Sequence, residues 1–367
     1  MPGLLTGYGA AFDFAGAVSR DTRGDYETGG GQTYENTGID AETGISANLG
    51  YTFGDRHRIG LIFTGFEAEE SGDPGYITAN DLDNYSDKKS HTIDLGYTGG
   101  SKDARFEWMM RYFTGRDKNT WIDPVASNPA FWDDGIPSQR ETDLQGAQAQ
   151  VTGFWGATRL TGGFDWVDYD IESDFTPNQS TYENTALFLL ARTGFFDDRL
   201  VTHLGLRHDW YDVAVTEPAG RSEDTIRFTP SIGFAWMALP DLKLRAQYAQ
   251  GFMLPTADQM GADHTSFMGP VKGNPDLDPE KSATWEAGLD WFKNGLQASL
   301  TWFHTDFEDK IVSDYLASGT QTWKNEGDAE ISGFQADISY DVGMPLGWSW
   351  EVRPYLGFTA LTDIDDK

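Results

Sequence analysis

The chain contains no cysteine, so neither a disulfide framework nor a thiolate metal site is open to it. It contains no apolar run of about 18 residues, which excludes a transmembrane helix. It is poor in cations. Its 27 Lys and Arg against 58 Asp and Glu leave a net charge of -31, the wrong sign for a nucleic-acid partner, whose binders present basic faces. That acidity has two readings: solubility, or acidic loops in a cation-rich surrounding. The start, Met1-Pro-Gly-Leu-Leu-Thr-Gly7, has no basic stretch and no long apolar core, so it is not a secretory leader. The expectation is that the true N-terminus lies further upstream. Helical periodicity is almost missing as well.

Period-two alternation takes its place, on a background of 42 glycines and 14% aromatics. Phe106, Trp108, Met110 and Tyr112 alternate with Arg105, Glu107, Met109 and Arg111. Leu242, Leu244, Ala246 and Tyr248 alternate with Lys243, Arg245, Gln247 and Ala249. One face is apolar and aromatic, and the other is charged. About fifteen strands are expected on this pattern: 4–19, 41–53, 57–69, 90–99, 103–114, 141–156, 159–170, 183–195, 199–212, 226–237, 242–251, 281–292, 296–307, 322–341 and 348–361. Many exceed the five or six residues usual in a soluble sandwich.

Short turns, such as Phe53–His57, Phe292–Gly295 and Gly343–Gly347, alternate with long connections at 20–40, 70–89, 115–140, 171–182, 213–225, 252–280 and 308–321. Short, long, short, long is the pattern of an up-and-down outer-membrane barrel, with short periplasmic turns and long extracellular loops. The polarity agrees. A soluble barrel hides its apolar face inside, and so many charged side chains do not fit in a small interior. In a membrane barrel the apolar face meets lipid. Aromatics beside the short turns, among them Tyr51, Phe53, Tyr97, Phe195, Trp236, Trp291, Trp348 and Trp350, suit an interfacial girdle. An odd strand count departs from the even number of single-chain barrels and predicts an incomplete wall, with residues 1–19 and 348–361 as unpartnered edges.

Four segments resemble the TonB-dependent outer-membrane receptors. They are Gln247-Tyr-Ala-Gln-Gly-Phe-Met-Leu-Pro-Thr256; Gly273-Asn-Pro-Asp-Leu-Asp-Pro-Glu-Lys-Ser282; Leu300-Thr-Trp-Phe-His-Thr-Asp-Phe-Glu-Asp-Lys-Ile-Val312; and Lys324-Asn-Glu-Gly-Asp-Ala-Glu-Ile-Ser-Gly-Phe334. The motif residues Gly251, Phe252, Pro255, Gly273, Asn274, Pro275, Leu277, Pro279, Glu280, Asn325 and Gly333 read as scaffold: Pro fixes φ, Gly and Asn tolerate turns, and Gly333 lets a large wall bend. The resemblance implies a 22-stranded barrel of which residues 1–367 are a partial barrel domain. The family's N-terminal plug domain, the peptide that engages the TonB energy-coupling protein and the last strands have no counterpart in this sequence.

Loop aromatics Trp121, Phe131 and Trp132 suit stacking on a chelate, or packing within their own loop. Arg105, Arg111, Lys243 and Arg245 are expected in the lumen, where they steer an anionic ligand, dock on a plug, or form salt bridges with groups such as Glu107. Asn274-Pro-Asp-Leu-Asp278 lacks the Gly and Glu of an EF-hand. Asp73, Asp81, Asp83 and Asp87 leave weak Ca²⁺ binding in an acidic loop open, beside a plain solvated loop. The six His are scattered; His203 and His208 fall on opposite faces of one strand, so no metal site is expected. No catalytic residue is nominated.

The resemblance thus implies a transmembrane antiparallel β-barrel in the Gram-negative outer membrane, in contact with lipid. The whole protein would import a scarce nutrient chelate, most often a ferric siderophore, with no enzymatic step and no nucleic acid. A passive porin and a soluble adhesin or carbohydrate-binding module are the other two classes left open.

Overall fold

The computed structural model describes residues 3–9, 11–73, 82–125, 135–217, 221–266 and 269–366. In chain order the strands are β1 (Gly3–Tyr8), β2 (Phe12–Arg23), β3 (Tyr26–Glu27), β4 (Thr33–Tyr34), β5 (Ile39–Phe53), β6 (His57–Gly72), β7 (Tyr85–Gly100), β8 (Phe106–Ile122), β9 (Ser138–Trp155), β10 (Thr158–Ser173), β11 (Gln179–Phe195) and β12 (Leu200–Glu217). They continue with β13 (Arg221–Leu239), β14 (Leu242–Met253), β15 (Asp263–Ser266), β16 (Gly269–Lys272), β17 (Glu280–Lys293), β18 (Leu296–Glu308), β19 (Ile311–Tyr315), β20 (Gln321–Asn325), β21 (Ala329–Tyr340) and β22 (Tyr355–Asp366). Two short helices are α1 (Ala257–Gly261) and α2 (Gly343–Leu346).

Sixteen strands follow one another in a single antiparallel up-and-down order, β1-β2-β5 through β14-β17-β18-β21-β22. Among the described residues β1 and β22 have one strand neighbour each. The expected count of about fifteen is therefore one short. The segment 4–19 is a hairpin, β1 and β2, turning at Gly9, where Gly9 N–H donates to Phe12 O at 2.7 Å. The edge is β1 alone, because β2 pairs with both β1 and β5. The expected strand 322–341 is β20 and β21, and 348–361 is an irregular stretch after α2 followed by β22. The connections expected at 171–182 and 213–225 are mostly strand: β10 and β11 are joined by residues 174–178, and β12 and β13 by 218–220, which lie outside the described residues.

The chain divides into two compact units: residues 1–151, 164–185 and 211–224, and residues 152–163, 186–210 and 225–367. In the first unit, register sets the faces. Ile59, Leu61 and Phe63 stand opposite Tyr97, Leu95 and Ile93, which stand opposite Met110, Tyr112 and Thr114. The alternate positions carry Arg58, Thr64, Thr92, Asp94 and Arg111. The apolar side is bare: Leu95 is 51% exposed and Met110 53%. A soluble sheet would bury such a face; in lipid it is the solvated one. At the turn end of this face the Phe53, His57 and Tyr97 rings stack, with His57 Nδ1 2.9 Å from the Tyr97 hydroxyl.

Strands of 15–18 residues in this unit outrun the roughly 9–11 that cross a bilayer. Beyond the apolar stretch the same face turns ionic. Glu67 meets Lys89 at 3.2 Å, and Arg116 binds Asp143 through two bonds of 2.6 Å. Exposed pairs of this kind contribute little stability; they mark where the wall leaves the membrane.

The second unit repeats the scheme. Trp236, Leu244, Leu289 and Leu300 succeed one another across β13, β14, β17 and β18 on the apolar side. Lys243, Asp290, Ser299 and Asp337 do so on the polar side. At Gly333 a Cβ would lie 2.6 Å from both the Ala360 carbonyl oxygen and the Phe303 ring. The β21–β22 register also shifts between Ser332 and Gly333, so the glycine admits a covering ring beside a bulge.

The loop after β2 is held by one carboxylate. Asp25 Oδ1 accepts from Thr37 N–H at 2.8 Å and Gly38 N–H at 3.0 Å, while Tyr26 and Tyr34 stack at 5.6 Å. The Thr37 N–H, reinforced by Gly38, holds the Asp25 carboxyl below the usual carboxylate range. A depressed folded value gives stability that is complete above the unfolded value, near 3.9, and is lost as pH falls through the folded one. Amide exchange at Thr37 and Gly38, corrected for intrinsic rate, is thus expected to be slow at pH 6 and to accelerate below about pH 4. In Asp25→Ala it is expected to be fast at both; slow exchange in that variant would contradict the assignment.

Candidate functional site

Two regions gather the sequence-nominated residues. The first is the loop pair following β14 and β18. The chain leaves β14 through buried Pro255. Thr256 caps α1 reciprocally: its N–H donates to Gln259 Oε1 at 2.8 Å, and Gln259 N–H donates to Thr256 Oγ1 at 3.2 Å. Gly273 follows β16, and its N–H donates to Ala262 O at 2.7 Å. A Cβ there would sit 2.5 Å from the Gly261 nitrogen, so the close approach of the loop to α1 requires glycine.

Asparagine and glutamate side chains then tie this loop to the next one. Asn274 Nδ2 donates to Trp323 O at 2.9 Å. Asn325 accepts from Asp278 N–H and donates to the Asp278 and Asp309 carbonyls, each at 2.7 Å. Glu280 Oε1 accepts from Ile311 N–H at 2.7 Å. Leu277 and Pro279 are buried beneath, Pro275 is half-buried, and a parallel bridge pairs Val271 of β16 with Gln321 of β20. The result is one four-stranded sheet, β15-β16-β20-β19, made from two loops. Glu326 and Asp314 hold the Lys324 ammonium, whose pKa they raise. Gly251 and Phe252 close the preceding strand; a Cβ on Gly251 would lie 2.9 Å from Ser282 Oγ.

The second region is the polar face. Arg111 donates to Asp94 and, at 3.2 Å, to Gln148, which donates to Asp165 at 3.3 Å. Its guanidinium also lies 4.7 Å from the Phe113 ring centre. Arg245 donates to Asp290 at 3.3 Å and to Thr301 at 2.5 Å, and Lys243 reaches the same Asp290 at 2.8 Å. Gly288 lies beneath this guanidinium, where a Cβ would be 2.7 Å from Cζ. Beside it His203, Ser231, Arg245, Gln247 and Glu286 line a hollow of about 260 Å³. The carboxylates that engage the expected cations are thus Asp94 and Asp290; Glu107 pairs instead with Arg56 at 3.6 Å.

Other nominated residues are placed elsewhere. Arg105 is not on a strand: it lies in the β7–β8 turn, paired with Asp103 at 3.4 Å, because the Ser101–Asp103 turn carries the chain one residue past it before β8 begins. Trp121 is half-buried near the end of β8, opposite Ser86, rather than in a free loop. Phe131, Trp132 and Asp81 lie outside the described residues. Asp87 Oδ1 accepts from Glu70 N–H at 2.8 Å. Three features went unread in the sequence. Asn36, at φ 58°, bridges Asp73 and Asn84 through its Nδ2. His304 lies between Ser332 at 2.7 Å and Asp306 at 3.0 Å. Tyr169, Tyr182 and Tyr211 contact one another in series. The His304–Ser332 and Tyr contacts depend on register between strands and the Asn36 bridge on the meeting of two loops, neither of which single-strand patterning carries.

Asn325→Ala removes two bonds that join two loops and one within the second, each worth about 0.5–1.5 kcal/mol net. Amide exchange is expected to rise together in residues 263–278 and 311–325, with the wall strands β17 and β18 unchanged. A rise confined to one of the two loops would contradict their coupling.

The comparisons with known proteins agree with this geometry. A family model described as TonB dependent receptor-like, beta-barrel matches residues 56–367. The chain is 23% identical over 306 residues to the ferrienterobactin receptor of Escherichia coli K12, covering 76% of this chain and 38% of that protein. It is 30% identical over 141 residues to the probable TonB-dependent siderophore receptor PirA of Acinetobacter baumannii, covering 33% and 18%. The solved hemophore receptor HasR of Serratia marcescens superposes with a TM-score of 0.82 at 17% identity, over 99% of this chain and 61% of that one, a likeness of fold. The chain spans less than two thirds of the length of these relatives. It belongs to the TonB-dependent receptor β-barrel family of the Gram-negative outer membrane.

Proposed function

We propose that this chain is wall and loop structure of a receptor that binds a ferric siderophore outside the cell and imports it with energy delivered through TonB. The carrying observation is that two sequence relatives are named, one as a probable TonB-dependent siderophore receptor and the other as the ferrienterobactin receptor. The wall supports the reading. Its polar face is lined by paired charges, Arg58–Asp13, Arg111–Asp94 and Arg245–Asp290, which suits a water-filled or plugged interior. The whole receptor would include a plug domain and further wall strands, since the chain covers 61% of a solved relative. No substrate bond is broken in this role. The chain's part is to hold the coupled loops over the pore and to present a wall of paired charges to the cargo.

Uptake of radioactive iron by cells producing the whole receptor tests this. Accumulation from a ferric siderophore is expected to need both the receptor and TonB, and to stop when the proton gradient is collapsed. Equal uptake without TonB would indicate a passive channel instead.

A further inference from the structure

On β7 and β8 the lipid-facing side continues past its apolar rows. Tyr97, Leu95 and Ile93 stand opposite Met110, Tyr112 and Thr114, and the next two pairs on the same side are His91 with Arg116 and Lys89 with Lys118. The short turns after β5 and β7 close the other end of these strands. Both basic pairs therefore lie at the end with the long connections, which faces the cell exterior. The last apolar row beneath them is Phe63 with Ile93. That height is where the hydrocarbon stops and the headgroups of the outer leaflet begin.

The arrangement is electrostatically unfavourable as it stands. Residues directly opposite on antiparallel strands have Cβ atoms about 4.5–5.5 Å apart, and like charges there are destabilising. Lys89 and Lys118 form one such pair, and His91 with Arg116 forms another whenever the imidazole is protonated. Two of these pairs in consecutive rows are unexpected in a chain with 27 Lys and Arg against 58 Asp and Glu.

The carboxylates that answer these cations stand on the flanking strands. Glu67 on β6 meets Lys89 at 3.2 Å, and Glu141 and Asp143 on β9 meet Arg116 at 2.8 Å and 2.6 Å. Lys118 forms no ion pair among the described residues. With Glu67, Asp87, Lys89 and Thr120 it lines a hollow of about 490 Å³. Each lysine ammonium carries three donors and no acceptor, so donors remain after the contacts above. The complement of such a patch is an anion with several acceptor oxygens, held at headgroup height.

We propose that His91, Arg116, Lys89 and Lys118 hold the phosphate of an outer-leaflet lipid headgroup against the outside of the wall. The lipid's chains would then lie along the apolar rows of Leu61, Leu95 and Tyr112 below. This concerns the outer surface and goes beyond the import reading: it needs a wall that spans the membrane, whatever the cargo.

The test uses the whole receptor, purified in a neutral detergent, with bound lipid measured by native mass spectrometry. The receptor is titrated with a phosphorylated glucosamine lipid, with the same lipid after dephosphorylation, and with inorganic phosphate. Heat-modifiable mobility on gels verifies that each variant is folded. The wild type is expected to bind the phosphorylated lipid at least about 10-fold more tightly than the dephosphorylated one. Lys89→Gln and Lys118→Gln are each expected to weaken that binding roughly 5-fold. Lys102→Gln, in the β7–β8 turn at the other end of the wall, is expected to leave it unchanged. Glu67→Gln removes a flanking carboxylate and is expected to bind as tightly as wild type or more so. Unchanged binding in both the Lys89 and Lys118 variants overturns the proposal. An equal loss in Lys102→Gln does so too, since it would report net charge alone. Equal binding of the dephosphorylated lipid also overturns it, and displacement of the lipid by inorganic phosphate at matched concentration would assign the patch to a free anion instead.

Discussion

In hydrocarbon no water is available to a peptide group, so every backbone N–H and C=O must find its partner inside the wall. The rest of this structure depends on that constraint. It favours long antiparallel strands with continuous ladders, such as the unbroken registers of β7 with β8 and of β17 with β18. Strand alternation then divides each sequence between two solvents. Leu61, Leu95 and Tyr112 fall to lipid, and Thr64, Asp94 and Arg111 to the polar side. Charges on that second side are met by neighbours one or two strands away, as Arg245 is by Asp290 and Thr301. Pairing lowers the cost of crowding ions on a wall.

Function in such a protein is added above the ladder. The strands continue past the lipid, and the loops that cap them are tied to one another instead of to the wall alone. Asn274, Glu280 and Asn325 make two loops into one body. The most recognisable motif of the sequence thus serves as a joint.

Much of this was legible in the sequence because the lipid-facing segments alternate in hydrophobicity, and β5 through β9 and β17 through β18 emerge where alternation places them. The parts that escaped have physical reasons. Around Gly9 the apolar alternation runs through the turn, so one hairpin read as one strand. At 86–89 and 115–120 both faces are polar, so hydrophobic alternation disappears and strands resembled loops. Arg105 looked like a wall residue because alternation of Arg105 and Glu107 persists into the turn. The Tyr169–Tyr182–Tyr211 row was invisible because it exists across strands, and neighbouring residues within each strand give no sign of it. The scaffold motif was readable in place, while the bonds made by Asn325 needed the fold.

The central claim is that alternation here sorts residues between lipid and water. The chain has no cysteine, so single cysteines can be placed without background. Spin labels at Leu61, Leu95 and Tyr112, and at Thr64, Thr92 and Arg111, in the whole receptor in bilayers, can be relaxed by apolar oxygen or by a polar nickel chelate. The account predicts that the first three respond mainly to oxygen. The second three are predicted to show low oxygen access, with nickel access wherever water reaches the pore side. Strong oxygen access at Thr64, Thr92 and Arg111, with none at Leu61, Leu95 and Tyr112, would contradict it.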